Sequence, residues 1–340
     1  MDDGGDGPAS LATRRAVLAA TAALAAAAMP RFGSTAEWTG PVASDADIDR
    51  MLPAISNWGR WGPDDQLGTL NFITPEMRLA AIRSVRTGRT VSLARERAVA
   101  DATGIRQLTY RNQHYTDPQP DEAGTIDEIG MIYHGYVVTH LDALCHLFTP
   151  EGRDGMYNGY PVSLVTDAGA AKLGVEVMGA TGILGRGVLL DIAALKGGPL
   201  ALGSIITRAD LEAAEARQRV TVGEGDILFV RNGRGPENSY HLSTGLHPEC
   251  LPWLHARRVA LLSHDGDGDV HPTQPGFSRW SEPVHMIAIP YLGMPLLCAA
   301  DLEAVSAACA EEKRWSFFVT VAPWRFKGAT SSPVNPLAIF

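Results

Sequence analysis

Residues 134–146 of the chain run His134, Gly135, Tyr136, Val137, Val138, Thr139, His140, Leu141, Asp142, Ala143, Leu144, Cys145, His146. Three of the ten histidines fall in this one stretch, with an aspartate between two of them. His140 and Asp142 are two residues apart, so in an extended segment they project from the same side, roughly 6–7 Å apart along the chain. That suits two ligands converging on one ion, and neutral imidazole with carboxylate suits Zn or Mn rather than Ca. His146 is six residues beyond His140 and would lie about 20 Å away on a straight strand, so the chain must bend after Asp142 if His146 belongs to the same site. The same residues admit a simpler arrangement, in which Asp142 only orients a buried His140.

Other residue types offer chemistry less directly. His264 and His271 flank Asp265, Asp267 and Asp269; this could be a second metal site, but Gly/Asp-rich segments are more often solvated turns, which is the expectation here. Trp58 and Trp61 could stack on a flat substrate or close the N-terminal loop as an apolar plug. Tyr157, Asn158 and Gly159 read as a turn near the site entrance. Arg111, Arg186 and Arg231 could each bind a substrate carboxylate or pair with an acidic neighbour. No G-x-S-x-G elbow appears, which argues against a serine hydrolase. No G-x-G-x-x-G opens a helix, which argues against a dinucleotide site.

The elements that must position these groups read as α/β. A helix is expected to start at Asp45 to Leu52, and another to run from Pro75 to about Thr87, with Thr74 at its N-cap and Pro75 at its first position. Thr207 to Arg217, Leu251 to Arg257 and Asp301 to Lys313 also read as helices. Thr90 to Leu93, Val188 to Ile192, Ile227 to Val230, Val259 to Leu262 and Trp315 to Val321 are short apolar, β-prone runs of the kind found in buried strands. Ile132 to Thr139 reads as β-prone, and residues 100–127 as a long polar loop or flap. There is no regular βαβ alternation and no internal repeat.

Composition bounds the rest. The 340 residues carry 29 Lys+Arg against 38 Asp+Glu, a formal net charge of −9, with 45% apolar and 20% charged residues. This is a globular profile, and the acidic balance argues against a nucleic-acid partner. Four scattered cysteines form no disulfide framework and no zinc-ribbon pair. Residues 1–30 combine Arg14 and Arg15 with an Ala/Leu run and A-x-A-like sites near Ala26 to Ala28, which reads as a twin-arginine export signal. The expected location is therefore periplasmic or extracellular; without the signal the chain would be cytoplasmic. The apolar run is too short to span a bilayer, so no stable membrane anchor is expected. Residues 31–44 are a polar lead-in, and one domain is expected from 45 to 340.

The run Thr139, His140, Asp142, His146 resembles the signature H-x-G-T-H-x-D-x-P-x-H of the cyclase family, which includes bacterial kynurenine formamidase and isatin hydrolase. Further blocks resemble the family in its own order: Trp61 to Asn71, Gly185 to Asp191, Gly225 to Arg231, Asp265 to Asp269, Pro283 to His285 and Ser332 to Pro336. The resemblance implies a cyclase-type swivelling β/β/α fold, a small-molecule substrate, and a homodimer or homotetramer. It implies His140, Asp142 and His285 as metal ligands, His146 as the acid/base, and the Trp61 block, with Trp58, as substrate contacts. Four positions depart from the pattern: Tyr136 stands at the first signature His, Val138 at the Gly, Leu144 at the Pro, and Cys298 near the downstream acidic ligand. The three remaining ligands imply one divalent ion, Zn or Mn, since three protein ligands plus water compose the usual catalytic zinc site. Cys298 could add a thiolate or be a buried apolar Cys; Tyr136 could act beside His146, ligate or pack; His134 is two residues out of register. The implied activity is metal-dependent hydrolysis of an amide or ester in a small cyclic or aryl-linked substrate such as a formamide, cyclic amide or lactone. The alternatives are a metal-independent cyclase or lyase using His146 and Tyr136, and a non-catalytic exported binding protein.

Overall fold

The computed structural model describes Met1 and residues 38–97, 108–116, 123–150 and 155–340, with the backbone alone for 108–116 and 123–129. Residues 2–37, which include the expected export signal and the first part of the polar lead-in, fall outside the described residues. In chain order the strands are β1 (Thr90–Ser92), β2 (Leu108–Thr116), β3 (Ala123–Met131), β4 (His140–Asp142), β5 (Val165–Thr166), β6 (Gly169–Ala170), β7 (Ile183–Asp191) and β8 (Ile205–Ile206). They continue with β9 (Ile227–Arg231), β10 (Gly245–Leu246), β11 (Leu261–His264), β12 (Leu296–Cys298), β13 (Ser316–Val321), β14 (Ser331–Pro333) and β15 (Leu337–Ile339).

Nine of these strands form one mixed sheet in the order β1-β15-β13-β7-β9-β11-β12-β4-β14. Its centre, β7-β9-β11-β12, is parallel. Antiparallel pairs extend it through β13 and β15 to β1 on one side and through β4 to β14 on the other. Alternate residues of each strand feed two cores on opposite faces, as the two-residue pleat requires. Leu189, Phe229, Leu261 and Leu297 pack into one core, while Leu190, Leu228, Leu262 and Leu296 pack into the other. Burial on both faces is why these strands read as unbroken apolar runs.

Helices cover the second of these faces. Asp45–Ile55, Arg208–Gln218, Cys250–Ala256 and Pro283–Ile287 all bury residues in the core around Leu228 and Leu262. Their ends are closed by the residues that marked them in the sequence. The Thr207 hydroxyl accepts from Asp210 N–H while the Asp210 carboxylate accepts from Thr207 N–H, a reciprocal cap. Thr74 accepts from Met77 N–H, with Pro75 at the first helical position of Pro75–Arg83.

Two expectations need correction. Within the expected 100–127 loop, β2 and β3 form an antiparallel hairpin with nine residues in each strand; its Thr, Tyr and Ile content favours a pleated ribbon despite the polar residues between. Ile132 to Thr139 is not a strand but a run of bends. Gly135 sits there at φ +102°, and a Cβ on it would lie 2.7 Å from the Tyr240 hydroxyl, so the segment turns to pass close under that ring.

One close approach joins the N-terminal loop to the region after the π-helical turn Ala288–Leu292. Gly68 has φ +56°, and a Cβ built on it would lie 1.9 Å from the Gly293 carbonyl oxygen, which accepts from Thr69 N–H at 2.8 Å. Gly88 has φ +72° but nothing within 4 Å. Gly88→Ala is therefore expected to cost only the left-handed backbone penalty of about 1–2 kcal/mol, and Gly68→Ala roughly 2 kcal/mol more because two backbones must separate. Urea unfolding of the two variants checks this; equal costs would remove the close approach.

Candidate metal centre

The inner antiparallel pair β12-β4 builds the site. Cys298 pairs with His140 and Leu296 with Asp142, while β14 covers the other edge of β4. Leu141 points into one core, so His140 and Asp142 point to the opposite face, the one that also takes Cys298. The chain turns directly after Asp142, with His146 N–H donating to the Ala143 carbonyl at 2.9 Å. His146 is thereby brought back beside the aspartate. His285 arrives from the helix Pro283–Ile287, and His134 from the bent segment before β4.

These groups surround one carboxylate. Asp142 is 1% exposed. Its Oδ1 lies 3.3 Å from His134 Nδ1, 3.6 Å from His140 Nε2 and 3.8 Å from His146 Nε2. Its Oδ2 lies 3.7 Å from His285 Nε2 and 3.8 Å from Cys298 Sγ, and that sulfur is 3.5 Å from His285 Nε2. Oδ1 makes no hydrogen bond although it is buried, and N–H···O bonds are normally 2.7–3.2 Å long. Ligand atoms 2.0–2.3 Å from a tetrahedral ion lie roughly 3.3–3.7 Å from one another. The imidazole contacts around Asp142 are thus longer than ordinary N–H···O bonds and close to the spacing expected between ligands of a shared ion. Two ligand groups result, His134–His140–Asp142 and Asp142–His285–Cys298, with Asp142 common to both.

The ligand rings are oriented from behind. His140 Nδ1 donates to the Val138 carbonyl at 2.7 Å, leaving Nε2 free to face Asp142. His285 Nδ1 donates to Asp269 Oδ2 at 2.7 Å. The same Asp269 carboxylate accepts from Val284 N–H at 2.8 Å and His285 N–H at 3.1 Å, so it closes the first turn of the helix and aims its histidine together. Asp265 accepts from Asn232 N–H and Gly233 N–H. The Arg95 guanidinium donates to the Tyr136 and Asp265 carbonyls, linking the segments before β4 and after β11.

Burial and neighbouring charge shift the groups of the cluster in different directions. Burial alone would raise Asp142, but His146 and His140, with His134 and His285 behind them, hold it well below the usual carboxylate range. Burial opposes protonation of His285 too, yet Cys298, Asp142 and Asp269 raise it well above the usual imidazole value. Burial lowers His140 and takes His146 down to about 4. It pushes the Cys298 thiol up to about 12.

Several readings change on this geometry. His134, out of register by spacing, reaches Asp142 because the chain between Met131 and Thr139 is not a strand. Residues 264–269 are not a solvated turn: His264, Asp265, Asp267 and Asp269 are all buried. Asp269, which orients His285, carries the role that spacing did not disclose. The Tyr136 hydroxyl is buried and unpartnered; burial raises it, and its charged neighbours are Asp267 and Asp269. Arg186 pairs with Asp226, and Arg231 with Asp191 and Glu303, while the Arg111 side chain is outside the described atoms. Trp58 donates to the Pro290 carbonyl at 2.6 Å and stacks on Tyr291. Trp61 packs edge-on against Phe72. Among the described contacts neither tryptophan touches the histidine cluster.

The family model Cyclase ("Putative cyclase") matches residues 71–268, more than half of the chain. The chain belongs to the cyclase family. A crystal structure of a novel cyclase is 33% identical, with a TM-score of 0.73 over 84% of this chain and 100% of that one. Isatin hydrolase A from Ralstonia solanacearum is 18% identical, with a TM-score of 0.52 over 78% of this chain and 97% of that one. Isatin hydrolase A from Labrenzia aggregata bound to benzyl benzoate is 16% identical, with a TM-score of 0.51 over 74% and 93%. At these identities the last two establish likeness of fold. No curated protein matches the chain. The mixed α/β single domain expected from the sequence is therefore the cyclase-family fold, with a His/Asp/Cys group able to hold metal on its inner strand pair.

If Asp269 acts by aiming His285, Asp269→Asn, which replaces one of its two accepting oxygens by an N–H donor, lowers the affinity for Zn(II) roughly 10–100-fold. Competition against a chromophoric chelator measures this, and an unchanged affinity would remove Asp269 from the centre.

Proposed function

We propose that this cyclase-family chain is a metal-dependent hydrolase that opens an amide or ester bond in a small cyclic or aryl-linked substrate, such as a formamide, cyclic amide or lactone. The observation that carries the reading is the buried Asp142 carboxylate, ringed by four imidazoles and a thiol at ligand-to-ligand spacing. His140, Asp142 and His285 would hold the ion as the resemblance implies, with His134 and Cys298 completing two groups around Asp142. That pair of groups supports two ions rather than the single ion expected from the sequence. A bound divalent ion supplies Lewis acidity and lowers the pKa of its water to about 7.

The remaining chemistry belongs to His146. It stacks on His134 at 4.3 Å between ring centroids, and its side chain is 23% exposed, against 2% for His140. It therefore lies at the open edge of the cluster, where substrate can reach it. Kept neutral by burial, its imidazole can take a proton from the attacking water and return it to the leaving nitrogen or oxygen. Ring closure would use the same groups in reverse. The metal-independent alternative needs Tyr136 as partner to His146, and the buried phenol beside Asp267 does not favour it. The isatin hydrolases that share the fold act, by their names, on isatin; that makes ring amides the first class to test.

The test is a panel of an aryl formamide, an isatin-type ring amide and an aryl lactone, with protein loaded with Zn or Mn. Turnover of at least one member is expected. His146→Ala should lower kcat roughly 10²–10⁴-fold while metal content, measured by elemental mass spectrometry, stays unchanged. Full activity after exhaustive chelation, or an unimpaired His146→Ala enzyme, would contradict the mechanism.

A further inference from the structure

The two ligand groups around Asp142 are chemically unlike. One offers two imidazole nitrogens and a carboxylate oxygen; the other offers imidazole, carboxylate and sulfur. We propose that the second is a thiolate site, in which Cys298 Sγ, His285 Nε2 and Asp142 Oδ2 hold a zinc-class ion, beside a nitrogen–oxygen site open to a harder ion such as Mn(II). The proposal rests on the metal reading above and adds to it which residue sorts the ions.

The surroundings of Cys298 separate it from an ordinary buried cysteine, which behaves as a small apolar side chain. Cys250 shows that ordinary state, its Sγ 3.6 Å from the Ile206 carbonyl alone. The sulfur of Cys298 is met by three polar atoms: His285 Nε2 at 3.5 Å, the Asp267 carbonyl at 3.6 Å and Asp142 Oδ2 at 3.8 Å. A single S–H proton can serve only one of these acceptors at a time, so the three compete for it. An ion resolves this. With a bond of about 2.3 Å to sulfur and about 2.0–2.1 Å to nitrogen or oxygen, a tetrahedral ion places those atoms roughly 3.4–3.6 Å apart. The observed edges are 3.5 Å (N to S), 3.7 Å (N to O) and 3.8 Å (O to S), so a small inward adjustment completes the triangle. The pairing of β12 with β4 holds Cys298 opposite His140 on the site face, so the sulfur reaches the ion without any change of strand register. On binding, the ion forms the metal–sulfur bond and the thiol proton leaves to solvent. Thiolate is a soft donor that favours Zn over Mn, whereas an imidazole–carboxylate set accepts either.

Co(II) titration of the metal-free full-length chain tests the proposal, because a thiolate ligand gives a near-ultraviolet sulfur-to-cobalt charge-transfer band that nitrogen and oxygen ligands lack. The wild type should show the band. Cys298→Ser should lose it, and Cys145→Ser should keep it. In competition titrations Cys298→Ser should lose roughly tenfold or more in Zn(II) affinity, with Mn(II) affinity changed much less. Co(II) binding to the wild type without the band would overturn the thiolate site and leave the metal reading standing. No binding of Co(II), Zn(II) or Mn(II) by the wild type would overturn both.

Discussion

A carboxylate buried away from water is costly unless a cation or hydrogen-bond donors compensate it. Asp142 is such a group, and no hydrogen bond reaches its Oδ1. Four imidazoles crowd around it without closing to bonding distance. Such an arrangement is held open by the fold, and a positive charge at its centre would compensate the buried carboxylate.

The fold supplies this through strand position. β4 lies between β12 and β14 in a nine-stranded sheet, so its backbone is paired on both edges and the face each side chain takes is fixed. Three residues suffice: Leu141 anchors one core while His140 and Asp142 face the other side. Behind them a second layer fixes the rings, with Val138 holding His140, Asp269 holding His285, and Arg95 tying the bent segment to the loop after β11. His140, Asp142 and Cys298 sit on short paired strands, and His134 and His146 on the bends that flank them.

Much of this was legible in residue order, for identifiable reasons. His140 and Asp142 could be read as a pair because a two-residue step on a strand fixes which side a residue faces. The buried strands showed as β-branched runs, and the caps at Thr74 and Thr207 showed as residue types. His134 was not legible, because between Met131 and Thr139 the backbone bends and spacing no longer encodes direction. Cys298 was a candidate by resemblance alone; its place beside Asp142 comes from the β12-β4 register, which pairs residues more than 150 positions apart. The Asp265 to Asp269 run looked like a solvated turn because nothing local indicates that Asp265 will accept the Asn232 and Gly233 amides. The hairpin β2-β3 was hidden by its polar residues.

The central claim is that Asp142 is the shared carboxylate of a metal centre. A crystal structure of the metal-loaded chain, with anomalous scattering recorded at the zinc and manganese edges, tests it most directly. The account predicts anomalous peaks on both sides of the Asp142 carboxylate, one beside His134 and His140 and the other beside His285 and Cys298. A metal-replete crystal with no peak near Asp142, and with the imidazoles closed onto the carboxylate as ordinary hydrogen bonds, would contradict it.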